Sequence, residues 1–158
     1  MSKSPRCPPV IELVPHEPPM LLIDELIEWS PAQALIHATI RPGNPFVSDG
    51  QMPATVLLEY MAQAIAAADG MAIRQGSGQG SGQGDGDVGL LLGTRELELR
   101  VDALALGDRL ALRVVREYSD GKLARYACTA QRIGDPEDEL LAIATINVMM
   151  TSAEEVRS

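Results

Sequence analysis

From Ala54 to about Ile73 the chain is Ala-, Leu- and Met-rich, with Glu59 and Asp69 as the only acids before Arg74. Pro53 stands just ahead of this run, where a helix start tolerates a residue without an N–H. The stretch is therefore expected to be one long, largely buried helix. A helix with that much apolar surface has to be enclosed, and this demand constrains everything else in the chain. The flanking segments must supply a surface that curves around it.

Those segments read as strands. Residues 20–29 ("MLLIDELIEW") and 32–40 ("AQALIHATI") flank the turn signal Ser30-Pro31. In the second, Ile36 alternates with His37, so His37 points away from the Ile36 face and is expected to be exposed or near an edge. Residues 41–50 have the Pro, Gly and Asn content of a loop. Four more strand-like runs follow at 88–100, 109–119, 122–133 and 139–151, with Asp120-Gly121 as a hairpin signal between the middle two. Prolines at 5, 8, 9, 15, 18 and 19 keep the first twenty residues from forming regular helix. The tract at 75–87 is rich in Gly, Ser and Gln and is expected to be a flexible surface loop. It has no Lys after its glycines and no strand-to-helix setting, so it is not a phosphate cradle. Residues 1–10 are expected to be a tail and 152–158 a frayed end. The order of strand, strand, helix and four antiparallel strands is that of an α+β hotdog fold, one helix wrapped by a curved sheet of about six strands, here forming one domain over 1–158.

Composition narrows the function. A net charge of −9 argues against nucleic acid, which requires clustered Lys and Arg. Two histidines, His16 and His37, are too few for a His-rich metal site. Cys7 and Cys128 form no metal spacing and no disulfide framework, which fits a reducing compartment. The N-terminus has no signal-peptide pattern and no membrane span is expected, so the setting expected is the cytoplasm. Aromatics make up only 3% of the chain, and the aliphatic wall that results suits an acyl chain.

Three segments carry a resemblance to the hotdog-fold 3-hydroxyacyl-acyl carrier protein dehydratases, in particular the divergent branch associated with aryl polyene pathways. "PHEPPMLLIDEL" (15–26) is similar to their Pro-His-x-x-Pro opening. "MPATVLLEYMAQ" (52–63) is similar to their Met-Pro-Gly-Val-Leu-x-x-Glu-x-x-x-Gln helix start, with Ala54 in place of the Gly. "GLLLGTRELEL" (89–99) resembles the strand after their central helix. One departure concerns chemistry: the family's usual base is a histidine in a Gly-His-Phe-Pro loop, and "NPFVSDGQMP" (44–53) has none.

The resemblance implies a dehydratase that removes water from a (3R)-hydroxyacyl thioester on acyl carrier protein, leaving a trans-2-enoyl thioester. Glu59 is then the acid. Set among Val56, Leu57, Leu58, Tyr60 and Met61 it would be poorly solvated, and such a carboxyl holds its proton more readily than one in water. A solvated position on the helix is the competing reading of Glu59. Gln63, one turn on, shares its face and would orient it. The N–H groups of Ala54 and Thr55 at the helix start would hold the thioester oxygen. Phe46 and Met52, in the loop and motif beside them, are expected to contact substrate. His16 is either the base or a structural residue packing the N-terminal segment on the sheet, with Asp49 the weaker substitute. No metal or diffusible cofactor is called for; the carrier brings its phosphopantetheine arm as part of the substrate. Arg95, Arg100, Arg109 and Arg113 are candidates for docking an acidic carrier, or simply scattered solubilising residues. A homodimer is expected, with acid and base drawn from different subunits. The alternatives are a hotdog thioesterase and a non-catalytic acyl-binding subunit.

Overall fold

The computed structural model describes residues 7–76, 87–120, 122–134 and 139–152. Strands β1 (Glu25–Trp29) and β2 (Gln33–Thr39) form the first hairpin. A short β3 (Gln51–Pro53) leads through a 3-10 turn at Ala54–Val56 into helix α1 (Leu57–Arg74). Then come β4 (Asp87–Leu99), a short β5 (Ala103–Ala105), β6 (Arg109–Ser119), β7 (Leu123–Arg132) and β8 (Glu139–Ser152). Six strands pair in the order β1-β2-β6-β7-β8-β4, every pair antiparallel, while β3 and β5 form a separate two-stranded ladder. This is the hotdog architecture, α+β as expected.

The alternation of each strand explains how the sheet holds the helix. Ala34, Ile36 and Ala38 of β2, Leu110, Leu112 and Val114 of β6 and Ala142, Ala144 and Ile146 of β8 are all buried. The β7 contribution is Ala124, Tyr126, Cys128 and Ala130. So many alanines on one face let the helix backbone come close, and register shifts in the β1–β2, β6–β7, β7–β8 and β4–β8 ladders let the sheet bend around it. On its side, α1 buries Leu57, Tyr60, Met61, Ala64, Ile65, Ala67, Ala68, Met71 and Ala72, each large side chain contributing about 1.5–3 kcal/mol of burial free energy. Contrary to the sequence expectation, Ala54–Arg74 is long and apolar enough to cross a membrane by length and composition. Here its apolar face is spent on the sheet.

Several boundaries move. Residues 20–24 are not strand; they belong to an irregular strap, 13–24, that runs across α1 before β1 begins. Val10 is 5% exposed and packs in the core, so the N-terminal tail is shorter than expected. Residues 41–50 form the expected loop, and within it Asp49 (φ 55) and Gly50 (φ 77) make a tight turn closed by the Ser48–Gln51 bridge. Gln75 and Gly76 end the helix in a turn, Asp87 is already strand, and the rest of the Gly-rich tract lies outside the described residues, as does the tail beyond Ser152. His37 is half-buried on the outer sheet face, with β1 and β6 on either side, and burial lowers its pKa, helped by Arg109 and opposed by Glu25.

Candidate active site

The first turns of α1 present Glu59 and Gln63 one turn apart, towards the strap. Gln63 is fully buried and uses its whole amide. Its Oε1 accepts the Leu22 N–H at 2.8 Å, and its Nε2 donates to the Met20 carbonyl at 2.8 Å and to Glu59 Oε2 at 3.1 Å. One side chain thus sews the strap to the helix and aims the carboxylate. The strap also carries His16, whose Nε2 lies 3.5 Å from the same Glu59 Oε2. Glu59 Oε1 makes no hydrogen bond to any described residue.

Upstream packing sets this juxtaposition. Leu13 and Val14 are buried, Arg74 Nη1 reaches Glu12 Oε1 at 3.3 Å, and Leu13 crosses α1 at Gly70. A Cβ on Gly70 would fall inside contact of the Leu13 carbonyl, so only glycine lets the strap sit this close. His16 Nδ1 is buried without a partner, which leaves Nε2 as the nitrogen presented to Glu59.

Three expectations need correction. Glu59 and His16 were expected to come from different subunits, yet within this one chain they already lie 3.5 Å apart, because the strap folds back over the helix that bears Glu59. Glu59 is 38% exposed and His16 28%, so this chain alone does not give Glu59 the poorly solvated position expected of it. The Ala54 N–H is no oxyanion donor, since it is spent on the Asp102 carbonyl at 2.9 Å where β3 pairs with β5. The Thr55 N–H has no acceptor among the described residues and remains open at an exposed position.

The other expected residues fall elsewhere. Met52 is fully buried and offers substrate no surface; its Sδ lies 3.5 Å from Asn44 Nδ2. Phe46 is half-buried, with its N–H on Asn44 Oδ1 at 2.7 Å. Asp49 occupies the exposed Asp-Gly turn, a conformational role. Of the arginines, Arg100 pairs with Glu98 at 2.7 Å and Arg113 donates to Gln33 at 2.8 Å. Arg95 on β4 is separated from Arg109 and Arg113 on β6 by β7 and β8, so the four form no single patch. No cluster of potential metal ligands occurs among the described residues. Asn44 and Tyr60 were missed: Asn44 Nδ2 donates to the Tyr60 hydroxyl at 2.8 Å, both side chains buried. The signal was Tyr60 itself, the one aromatic residue of α1.

The chain is similar to known proteins over nearly its whole length. It is 28% identical over 153 residues to the 3-hydroxyacyl-[acyl-carrier-protein] dehydratase FabZ of Sinorhizobium medicae, covering 93% of this chain and 90% of that one. A solved structure, the dehydratase heterocomplex ApeI:P from Xenorhabdus doucetiae, superposes with a TM-score of 0.82 at 26% identity, covering 96% of this chain and 97% of that one. A hypothetical thioesterase with coenzyme A from Streptococcus pneumoniae shares the fold at a TM-score of 0.59 and 12% identity, over 81% of this chain and 85% of that one. The model of the ApeP-like family, described as ApeP dehydratase, matches residues 8–157. Fold, helix motif and family model agree: the chain belongs to the ApeP-like dehydratase family.

Proposed function

We propose that this dehydratase eliminates water from a (3R)-hydroxyacyl thioester on acyl carrier protein, yielding the trans-2-enoyl thioester, and that Glu59 and His16 of one chain do the proton work. The observation that carries the roles is the 3.5 Å approach of His16 Nε2 to Glu59 Oε2, with Gln63 holding that oxygen and Oε1 left open. The hydrogen on C2 and the hydroxyl on C3 sit on adjacent carbons, so two groups at this spacing serve both. His16 Nε2 takes the C2 proton, and the electron pair of the broken C–H bond forms the C2–C3 double bond. Glu59, protonated on Oε1, gives that proton to the departing hydroxyl, which leaves as water. The proton on Nε2 then passes to the carboxylate across the gap and resets the pair. The open Thr55 N–H, at the positive end of the helix, is offered as the donor to the thioester oxygen.

The β4 edge is open in the chain, with Arg95, Glu96, Leu97 and Glu98 exposed along it. We assign it to a second hotdog subunit, as a homodimer, which would also shield Glu59 from water. The carrier's phosphopantetheine arm would enter from the cytoplasm-facing solution as part of the substrate. The test is incubation with carrier-bound 3-hydroxyacyl and saturated acyl thioesters. The reading expects enoyl product that disappears with Glu59→Gln. Free acid from the saturated thioester would instead mark a thioesterase, and binding without turnover a non-catalytic subunit.

A further inference from the structure

The strap also walls a cavity of about 370 Å³ that neither His16, Glu59 nor Gln63 lines. That volume lies at the lower end of small-molecule sites, about 300–1,000 Å³. The exposed Pro18 and Pro19 and the half-buried Leu21 give the cavity an apolar wall within reach of solvent. Asp24 and Arg41 are the charged side chains on its lining, 27% and 61% exposed.

The two charges are engaged unequally. Asp24 uses both oxygens: Oδ2 accepts the Thr39 N–H at 2.7 Å, and Oδ1 accepts from Arg41 Nε at 3.1 Å, with Nη2 3.0 Å away. Arg41 is engaged along one side only. Its Nε–Nη2 edge faces Asp24, while Nη1 has no partner among the described residues. The end of the fork, Nη1 with the second Nη2 hydrogen, is therefore free to donate to both oxygens of one acceptor group. Asp24 holds the guanidinium still, so little freedom is lost when a ligand arrives.

Distance decides whether an anion is welcome beside this pair. A carboxylate on the free end would lie about 4 Å from the guanidinium and roughly twice as far from Asp24, so by the 1/r law attraction exceeds repulsion about twofold. A phosphate dianion would bring twice the charge, with no second cation on the lining to meet it. We infer that this cavity binds a free alkyl monocarboxylate, a fatty acid, with its head on the outer end of Arg41 and its tail along Pro18, Pro19 and Leu21. The site is separate from the Glu59–His16 pair, and the inference does not rest on the dehydratase reading.

The probe is octanoate, titrated into the full chain and followed by ligand-detected NMR, with butyrate and octan-1-ol as comparisons. Octanoate should bind more tightly than octan-1-ol, and each methylene added from butyrate upwards should tighten binding by up to about fourfold. Arg41→Gln should weaken octanoate roughly 10–100-fold, the loss of a charge-assisted hydrogen bond, and leave octan-1-ol unchanged. Arg41→Lys keeps the charge without the fork and should fall between wild type and Arg41→Gln. Glu59→Gln lies outside the lining and should bind octanoate as wild type does. Absence of octanoate binding, octan-1-ol binding as tightly as octanoate, or an Arg41→Gln protein that binds octanoate normally would overturn the proposal. So would loss of octanoate binding in Glu59→Gln, which would place the ligand at the catalytic pair instead.

Discussion

Replacing Gln63 by Met keeps the side-chain volume and removes every hydrogen bond it makes. In the structure this strands the buried Leu22 N–H and the Met20 carbonyl and frees Glu59 Oε2 from its donor. A buried polar group without a partner costs about 1–3 kcal/mol. The Met20 carbonyl is only partly buried and regains some water, so the two together come to roughly 2–4 kcal/mol. For a chain of this size that lowers Tm by about 5–15 °C. The strap that carries His16 loosens at the same time, so turnover should fall further than the folded fraction does. Gln63→Glu separates the contributions. It still accepts from Leu22, but it places a second carboxylate against Glu59 and cannot donate to Met20. Two adjacent carboxylates bind a proton more tightly than either does in the unfolded chain, so the Glu variant should lose stability as pH rises through the carboxylate range. Thermal unfolding monitored by circular dichroism, with kcat at a temperature where each variant is folded, measures both. A Gln63→Met protein that melts within about 2 °C of wild type and turns over normally would refute the idea that this amide holds the site together.

Gly70→Ala should destabilise by roughly 1–3 kcal/mol despite alanine's better helix propensity, because the new methyl meets the Leu13 backbone; a raised Tm would show that the strap does not depend on that approach. Asp69 lies at the other end of α1, where burial pushes its carboxyl up against the opposing Tyr126 hydrogen bond at 2.7 Å and the Arg116 charge. A carboxyl that binds its proton more tightly folded than unfolded contributes most at low pH, and that contribution is lost as pH climbs through the raised value. The stability of Asp69→Asn relative to wild type should therefore increase from about pH 4 towards pH 7; a flat difference would contradict it. Light scattering at micromolar concentration should report a dimer that dissociates when Leu97, 39% exposed on the β4 edge, becomes Lys; a monodisperse wild-type monomer would remove the assembly proposed above.

Local periodicity carried most of the fold. The helix, the two hairpin strands and the four later strands all advertise themselves through spacing, and β6 matches its expected limits of 109 and 119. What sequence could not supply was anything resting on a distant partner. The Ala54 N–H was read as free because its acceptor, Asp102, lies just before a three-residue ladder too short to leave a pattern. In the site, the Glu59–Gln63 spacing was legible because it is local to one helix. The course of the strap was not, since it is set by Gly70 and Gln63 from the other side of the contact, and so the His16–Glu59 pair was assigned to two subunits.

That last point is the centre of the account, and mixed oligomers test it most directly. Chains carrying Glu59→Gln and chains carrying His16→Asn, with different tags, would be co-expressed, purified through both tags and assayed for dehydration. Each variant alone should lose about 10²–10⁴-fold in kcat, and the double variant no more than the worse of the two, because both residues serve one step. With the pair inside one chain, every site in the mixed oligomer lacks one member, so its turnover should stay at the level of the single variants. Recovery of about half the wild-type rate in the mixed oligomer, the result of acid and base meeting across the interface, would contradict the account.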